Sequence, residues 1–178
     1  MRGSTMQDPV VDKIIAHVES VAQHGVPEAA RSAAKSFIAD TLAVGIAGSQ
    51  TPWRGEILDM VAGIGGAQEA TMFGGGERLP LVHAAMLNAY QIHAQEFDCV
   101  HEAAVVHPMA AGLPVLLGWA EREGGVSGAR MIRAVVVSVD VAATLGLCSR
   151  APMRFFRPAN AGGLGATVGL AMLAGLDA

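Results

Sequence analysis

The chain has 178 residues, of which 52% are hydrophobic, 16% charged and 4% aromatic, and its net charge is −4. That length suits one domain with a real core, and the charge balance excludes the electrostatic footprint of a nucleic-acid-binding protein. Cys99 and Cys148 are too few and too far apart for a disulfide framework or a CxxC metal site, which points to a reducing compartment and a cytoplasmic location.

Residues 1–5, "MRGST", read as an appended leader outside the fold, and 6–178 as a single domain with no signal peptide. Val10, Val11, Ile14, Ile15, Val18 and Val21 recur at helical spacing and mark one amphipathic face, which Gly25 ends. Pro27 and Glu28 suit the first turn of a second helix, because proline needs no amide partner there and a carboxylate complements the helix dipole. That helix runs to Gly48 and the polar stretch 49–52. A third helix is expected over 53–64, before Gly65 and Gly66. "EATMFGGGERLP", 69–80, reads as one short extended piece and a glycine-rich turn; it lacks the lysine and the spacing of a phosphate-binding loop.

Helical spacing returns in "LPLVHAAMLNAYQIHAQ", and Pro108 opens a further helix that Gly124 and Gly125 stop. Ser127 is a natural N-cap for the segment after it, where Ile132, Val135, Val136 and Val139 keep the helical period. The last helix lies within 159–176. It is uncharged and is the most membrane-like stretch, but only Leu164, Val168, Leu170, Met172, Leu173 and Leu176 are strongly hydrophobic. A span needs about 20 predominantly apolar residues, so a buried core helix and no membrane partner are expected. The fold class is all-α, a multi-helix bundle.

"EFDCVHEAAVVHPM", 96–109, concentrates titratable groups in an otherwise sparsely charged chain. Three readings stand side by side. A mixed metal site can be drawn from Asp98, Cys99, His101 and His107, without the ligand spacing that such sites normally show. An acid/base site can be drawn from His93 and Glu96 on one helix face with Asn88, from Asp98 beside Phe97 as an apolar wall, and from His107 at a helix start. Alternatively, these residues cap turns and fill a core. Cys99 as a nucleophile, with His101 or His107 as base, has only sequence proximity behind it. In "MRFFRPANAGGLG", Arg154 and Arg157 precede a helix and form a candidate carboxylate clamp; solvated loop arginines are the alternative.

"DTLAVGIAGS" at 40–49, "NAYQIHAQEFDCVHEAAVVHP" at 88–108 and "FFRPANAGGLGATVGLAMLAGLD" at 155–177 together resemble the MmgE/PrpD family, which includes 2-methylcitrate dehydratase and cis-aconitate decarboxylase. The resemblance implies the N-terminal portion of a large helical domain, with the lid domain absent, and a lyase reaction on a small di- or tricarboxylate. That reaction starts with proton abstraction next to a carboxylate and needs no metal or cofactor. It also implies a homodimer, or a partner chain that supplies the missing region. By matched position, the resemblance makes Glu96, Asp98, His101 and His107 catalytic, and His93, Arg154 and Arg157 are assigned to substrate binding.

Cys99, Val100, Met109, Arg157 and Ala159 depart from the family pattern, which carries aspartate, threonine, serine, histidine and threonine at those places. A guanidinium is charged at ordinary pH and makes a poor general base. Two further readings follow: a helical subunit with an impaired site, and an epimerase of an amino- or imino-dicarboxylate.

Overall fold

The structure is a computed structural model that describes residues 9–149 and 156–176. Among these residues there are seven α-helices: α1 (Pro9–His24), α2 (Glu28–Ala47), α3 (Arg54–Ile64), α4 (Leu81–His93), α5 (Pro108–Arg122), α6 (Gly128–Cys148) and α7 (Arg157–Ala174). One antiparallel hairpin interrupts them, β1 (Ala70–Thr71) pairing with β2 (Arg78–Leu79) in the register Ala70↔Leu79. The architecture is all-α.

Local chemistry sets most helix ends. Gly25 takes φ +79° after α1, a backbone that L side chains resist, and its amide donates to Val21 O at 2.9 Å. Ser127 Oγ accepts from Arg130 N at 3.3 Å and caps α6. Pro108 occupies the first turn of α5, where its missing amide costs nothing.

Three expectations need correcting. Helix α3 begins at Arg54, because Trp53 sits in a left-handed conformation at φ +71° and cannot continue a right-handed helix. The stretch 69–80 holds two short strands around its glycine turn rather than one. Of the apolar face expected on α1, Ile14, Val18 and Val21 pack against Val137 and Val141, while Val10 and Val11 are exposed.

The main core joins α2, α5, α6 and α7 through Ala34, Met109, Leu113, Leu116, Val135 and Leu173. Burying a side chain the size of leucine contributes about 1.5–3 kcal/mol. Helices α6 and α7 approach closely because α7 presents glycine to the backbone of α6. A β-carbon on Gly165 would lie 2.3 Å from Ser138 O, and one on Gly169 would lie 2.8 Å from Ala134 O. Helix α6 is also the described helix long and apolar enough, by length and composition, to cross a membrane. In the stretch 159–176, expected to be the most membrane-like, glycine and alanine dilute the hydropathy. In α6, 44% of the apolar window is buried.

A polar lattice pins the hairpin to α4. Asn88 Oδ1 accepts from Phe73 N at 2.9 Å, and its Nδ2 donates to Thr71 O at 3.0 Å. Gln91 Nε2 donates to Gly45 O and Phe73 O at 3.0 and 2.9 Å, and Arg54 bridges Gln91 and Glu77. Asn88 is therefore a scaffold residue that satisfies buried backbone groups. It belongs to the hairpin and not to an acid/base group with His93.

Candidate functional site

Helix α4 ends at His93, and the chain turns through 94–107 before α5 begins. Residues 101–106 close on themselves. His101 N donates to Val106 O at 2.9 Å across an isolated bridge, with a tight turn at Glu102–Ala104 and Val105 at φ +54°. This closure buries Val106 and delivers His107 to the mouth of α5, where it precedes Pro108 at φ −112° and ψ 75°.

Asp98 is the centre of the site, and its side chain has no exposed surface. His93 Nδ1 lies 3.0 and 3.3 Å from its two oxygens, and His107 Nδ1 lies 3.1 Å from Oδ2. A buried carboxylate is costly unless charge-assisted hydrogen bonds offset its lost hydration, and here two imidazoles do so. The two rings meet edge to face, with centroids 4.6 Å apart and planes at 67°. His93 is 39% and His107 21% exposed, so both rings are reachable from solvent while their anchor is not.

Glu96 comes to His93 by another route than the expected helix face. Helix α4 stops at His93, and Glu96, at φ +54°, folds its carboxylate back so that Oε1 lies 3.4 Å from His93 Nε2. Phe97 is 78% exposed and forms no apolar wall. His101 is exposed and stands outside the cluster; its Nδ1 accepts from Ala104 N at 3.2 Å and caps the short turn. Burial pushes the Cys99 thiol above its ordinary value, and the nearby Asp98 and Asp40 carboxylates add to the rise. A thiol held protonated is a poor nucleophile.

Arg157 opens α7, as expected of a residue at a helix start. Its Nε is buried without a hydrogen-bond partner among the described residues. Arg154 lies outside the described residues. A cleft of 390 Å³ opens elsewhere, between α1 and α6, with the 3.1 Å His17–Asp140 pair on its wall and none of the cluster residues in its lining.

The nitrogen and oxygen atoms of His93, Asp98 and His107 lie within 4.8 Å of one another, a set that could hold a divalent ion. It differs from the set drawn from sequence: His93 enters, and Cys99 and His101 drop out. The separations from Asp98 are hydrogen-bond lengths, and each Nδ1 already has its partner. What sequence reasoning missed is that Asp98 is shared. Its five- and nine-residue separations from the two histidines follow no helix or strand period.

An all-helical domain with two imidazoles on one buried carboxylate is the kind of scaffold that supports proton transfer at a half-open surface. The chain belongs to the MmgE/PrpD family, whose N-terminal domain it matches over residues 12–178. It is 28% identical over 149 residues to the cis-aconitate decarboxylase-like protein oryM of Aspergillus oryzae, and 26% identical over 147 residues to the cis-aconitate decarboxylase of Aspergillus terreus. Each match covers 80% of this chain, but only 31% and 30% of those proteins. The chain thus spans about a third of the length of the curated relatives it matches.

Proposed function

We propose that this chain is the N-terminal helical part of a dehydratase or decarboxylase that acts on a small di- or tricarboxylate. The observation that carries the reading is the pair of partly exposed imidazoles fixed on the buried Asp98, with the Glu96 carboxylate beside them. In dehydration, a ring nitrogen of His107 takes the proton from the carbon next to a substrate carboxylate. The released electron pair forms the double bond, and the hydroxyl leaves as water after receiving a proton from the site. In decarboxylation, carbon dioxide leaves its electron pair on carbon, and the site returns a proton there. Arg157, and Arg154 with it, would hold a substrate carboxylate through the planar guanidinium fork. Similarity to cis-aconitate decarboxylases makes cis-aconitate the first substrate to try.

The test is turnover of cis-aconitate, 2-methylcitrate and citrate, followed by unsaturated-acid absorbance and carbon dioxide release, for this chain alone and for the chain with its C-terminal continuation or partner. Turnover that His107→Ala abolishes while helical content persists supports the reading. Turnover that survives His107→Ala overturns it.

A second reading, a helical subunit without catalysis of its own, is favoured by the apolar side chains beside the site. Phe97, Val100 and Val105, on the loop between α4 and α5, are 78%, 52% and 40% exposed. Patches of this kind normally sit against another surface, which suits a homo-oligomer or a chain supplying the missing region. The departures at Cys99, Val100, Met109, Arg157 and Ala159 point the same way. Light scattering on the same preparation separates the two: a monodisperse monomer with turnover refutes the subunit. We place the protein in the cytoplasm, where two unpaired cysteines remain reduced.

A further inference from the structure

We propose that Asp98 is a positioning residue that locks His107 as its Nδ1–H tautomer, with Nδ1 of His93 on the same carboxylate, and leaves His107 Nε2 as the free base of the site. An ionised carboxylate only accepts hydrogen bonds. Each imidazole nitrogen facing it therefore carries the hydrogen, and in a neutral ring the other nitrogen then holds the lone pair. Three separations of 3.0, 3.3 and 3.1 Å place both Nδ1 atoms on Asp98, and its fully buried side chain keeps water from competing. One residue thus anchors both rings through Nδ1.

They are not equivalent, however. His93 Nε2 faces a second carboxylate, Glu96 Oε1, at 3.4 Å, so Asp98 alone does not set its tautomer, whereas His107 Nε2 has no partner among the described residues. The unoccupied lone pair is on His107. His101 supplies an internal contrast, because its Nδ1 accepts from Ala104 N and its hydrogen must sit on Nε2. One loop thus holds histidines of both tautomers, each assigned by the partner of its Nδ1.

The catalytic consequence rests on the lyase reading, but the tautomers do not. The experiment is two-bond proton–nitrogen correlation on the chain with 15N-labelled histidine, at neutral pH. His107 is expected to show the Nδ1–H pattern and His101 the Nε2–H pattern, with a hydrogen on Nδ1 of His93. In Asp98→Asn the amide keeps one acceptor oxygen and turns a donor NH2 to the other ring, so one of the two histidines should switch to Nε2–H. In the active assembly the same variant should lower kcat for cis-aconitate by about 10²-fold, the size of effect expected from misplacing a catalytic group, and change KM less. Asp98→Glu should restore part of that loss.

An Nε2–H pattern at His107 in the parent chain overturns the assignment, as does a folded Asp98→Asn in which neither His93 nor His107 changes. Loss of the Nδ1–H signals on adding equimolar Zn2+ also overturns it, since the three residues would then be a metal site. If Asp98→Asn does not fold, the parent spectrum decides alone. The expected tautomers without turnover of any of the three acids overturn the lyase reading and leave the role of Asp98 supported.

Discussion

His93 and His107 touch edge to face, 4.6 Å between ring centroids, although one ends a helix and the other begins the next. Neither helix end would bring them together unaided. The contact exists because both rings hang from Asp98 and because the bridge between His101 and Val106 folds the intervening loop flat.

Replacing Asp98 with alanine removes the shared acceptor and leaves two ring N–H groups without it. The partial exposure of both rings lets water take over some of the bonding. We expect a loss of about 1–3 kcal/mol, the range for breaking partly buried hydrogen bonds. Urea unfolding of the parent and variant chains, compared at their midpoints, measures it. An unchanged midpoint would show that Asp98 does not anchor the rings.

His101→Ala separates the loop's cap from its chemistry. The lost Nδ1 acceptor should cost about 0.5–2 kcal/mol, as removal of a side-chain cap does. Turnover, where it is measured, should fall no more than a few-fold, against its abolition by His107→Ala. Equal losses for the two variants would return His101 to the catalytic set.

Much of the fold was legible before any coordinates, and the reason is local. Gly25, Pro108, Gly124 and Ser127 each carry a conformational or capping preference that acts within one turn of chain, and each marks its boundary in the structure. The hairpin was half hidden, because two-residue strands are too short to show alternation. The site was legible as a region only. Glu96 and Val105 adopt positive φ values that nothing in their residue types foretells, and those two bends decide that Glu96 folds back and His107 comes forward. Phe97 fails as a wall for the same reason, since the bend beside it turns the ring outward.

The two cysteines should differ in reactivity. Cys99 is partly buried and its thiol is pushed up by that burial, whereas Cys148 is exposed. Iodoacetamide at neutral pH should modify Cys148 first and reach Cys99 slowly, since the thiolate is the reacting form. Peptide mass mapping over time resolves the order, and a faster Cys99 would revive it as a nucleophile.

Acid should loosen the hairpin. The carboxyl of Glu77 lies below its ordinary value of 4.5, held there first by a backbone hydrogen bond and then by Arg54 at 3.0 Å. A carboxyl depressed in the folded state adds stability above its unfolded value, and that contribution disappears as the pH falls through the lower, folded value. Glu77→Gln should therefore reduce stability at neutral pH, by at most about 1 kcal/mol for a pair this exposed. It should also flatten the loss of stability below the ordinary value. Urea midpoints taken across that range test the sign; a variant equally steep in acid would exclude Glu77 as a contributor.

Two glycines on one helix should respond in opposite directions. Gly165→Ala would force a β-carbon to within 2.3 Å of Ser138 O, and overpacking of this sort costs about 1–3 kcal/mol or more. Gly163→Ala meets nothing within 4 Å and should stabilise α7 by up to about 1 kcal/mol through helix propensity. Thermal unfolding of the two variants side by side gives the comparison.

The bare backbone contact at Gly165 and Gly169 also works as a registration mark. Where helices meet through long side chains, one can slide over the other as rotamers adjust. Here a shift of α7 by a single residue would drive a neighbouring side chain into the carbonyls of α6, so only one axial setting is open. Arg157 rides at the far end of that same rod, roughly 18 Å from Gly169 at 1.5 Å per residue. The height at which its guanidinium is presented is thus decided by residues that never come near it, and because Ala161 of α7 packs with Ala104 and Val106, a variant at Gly169 that shifts the helix also presses on the loop that delivers His107.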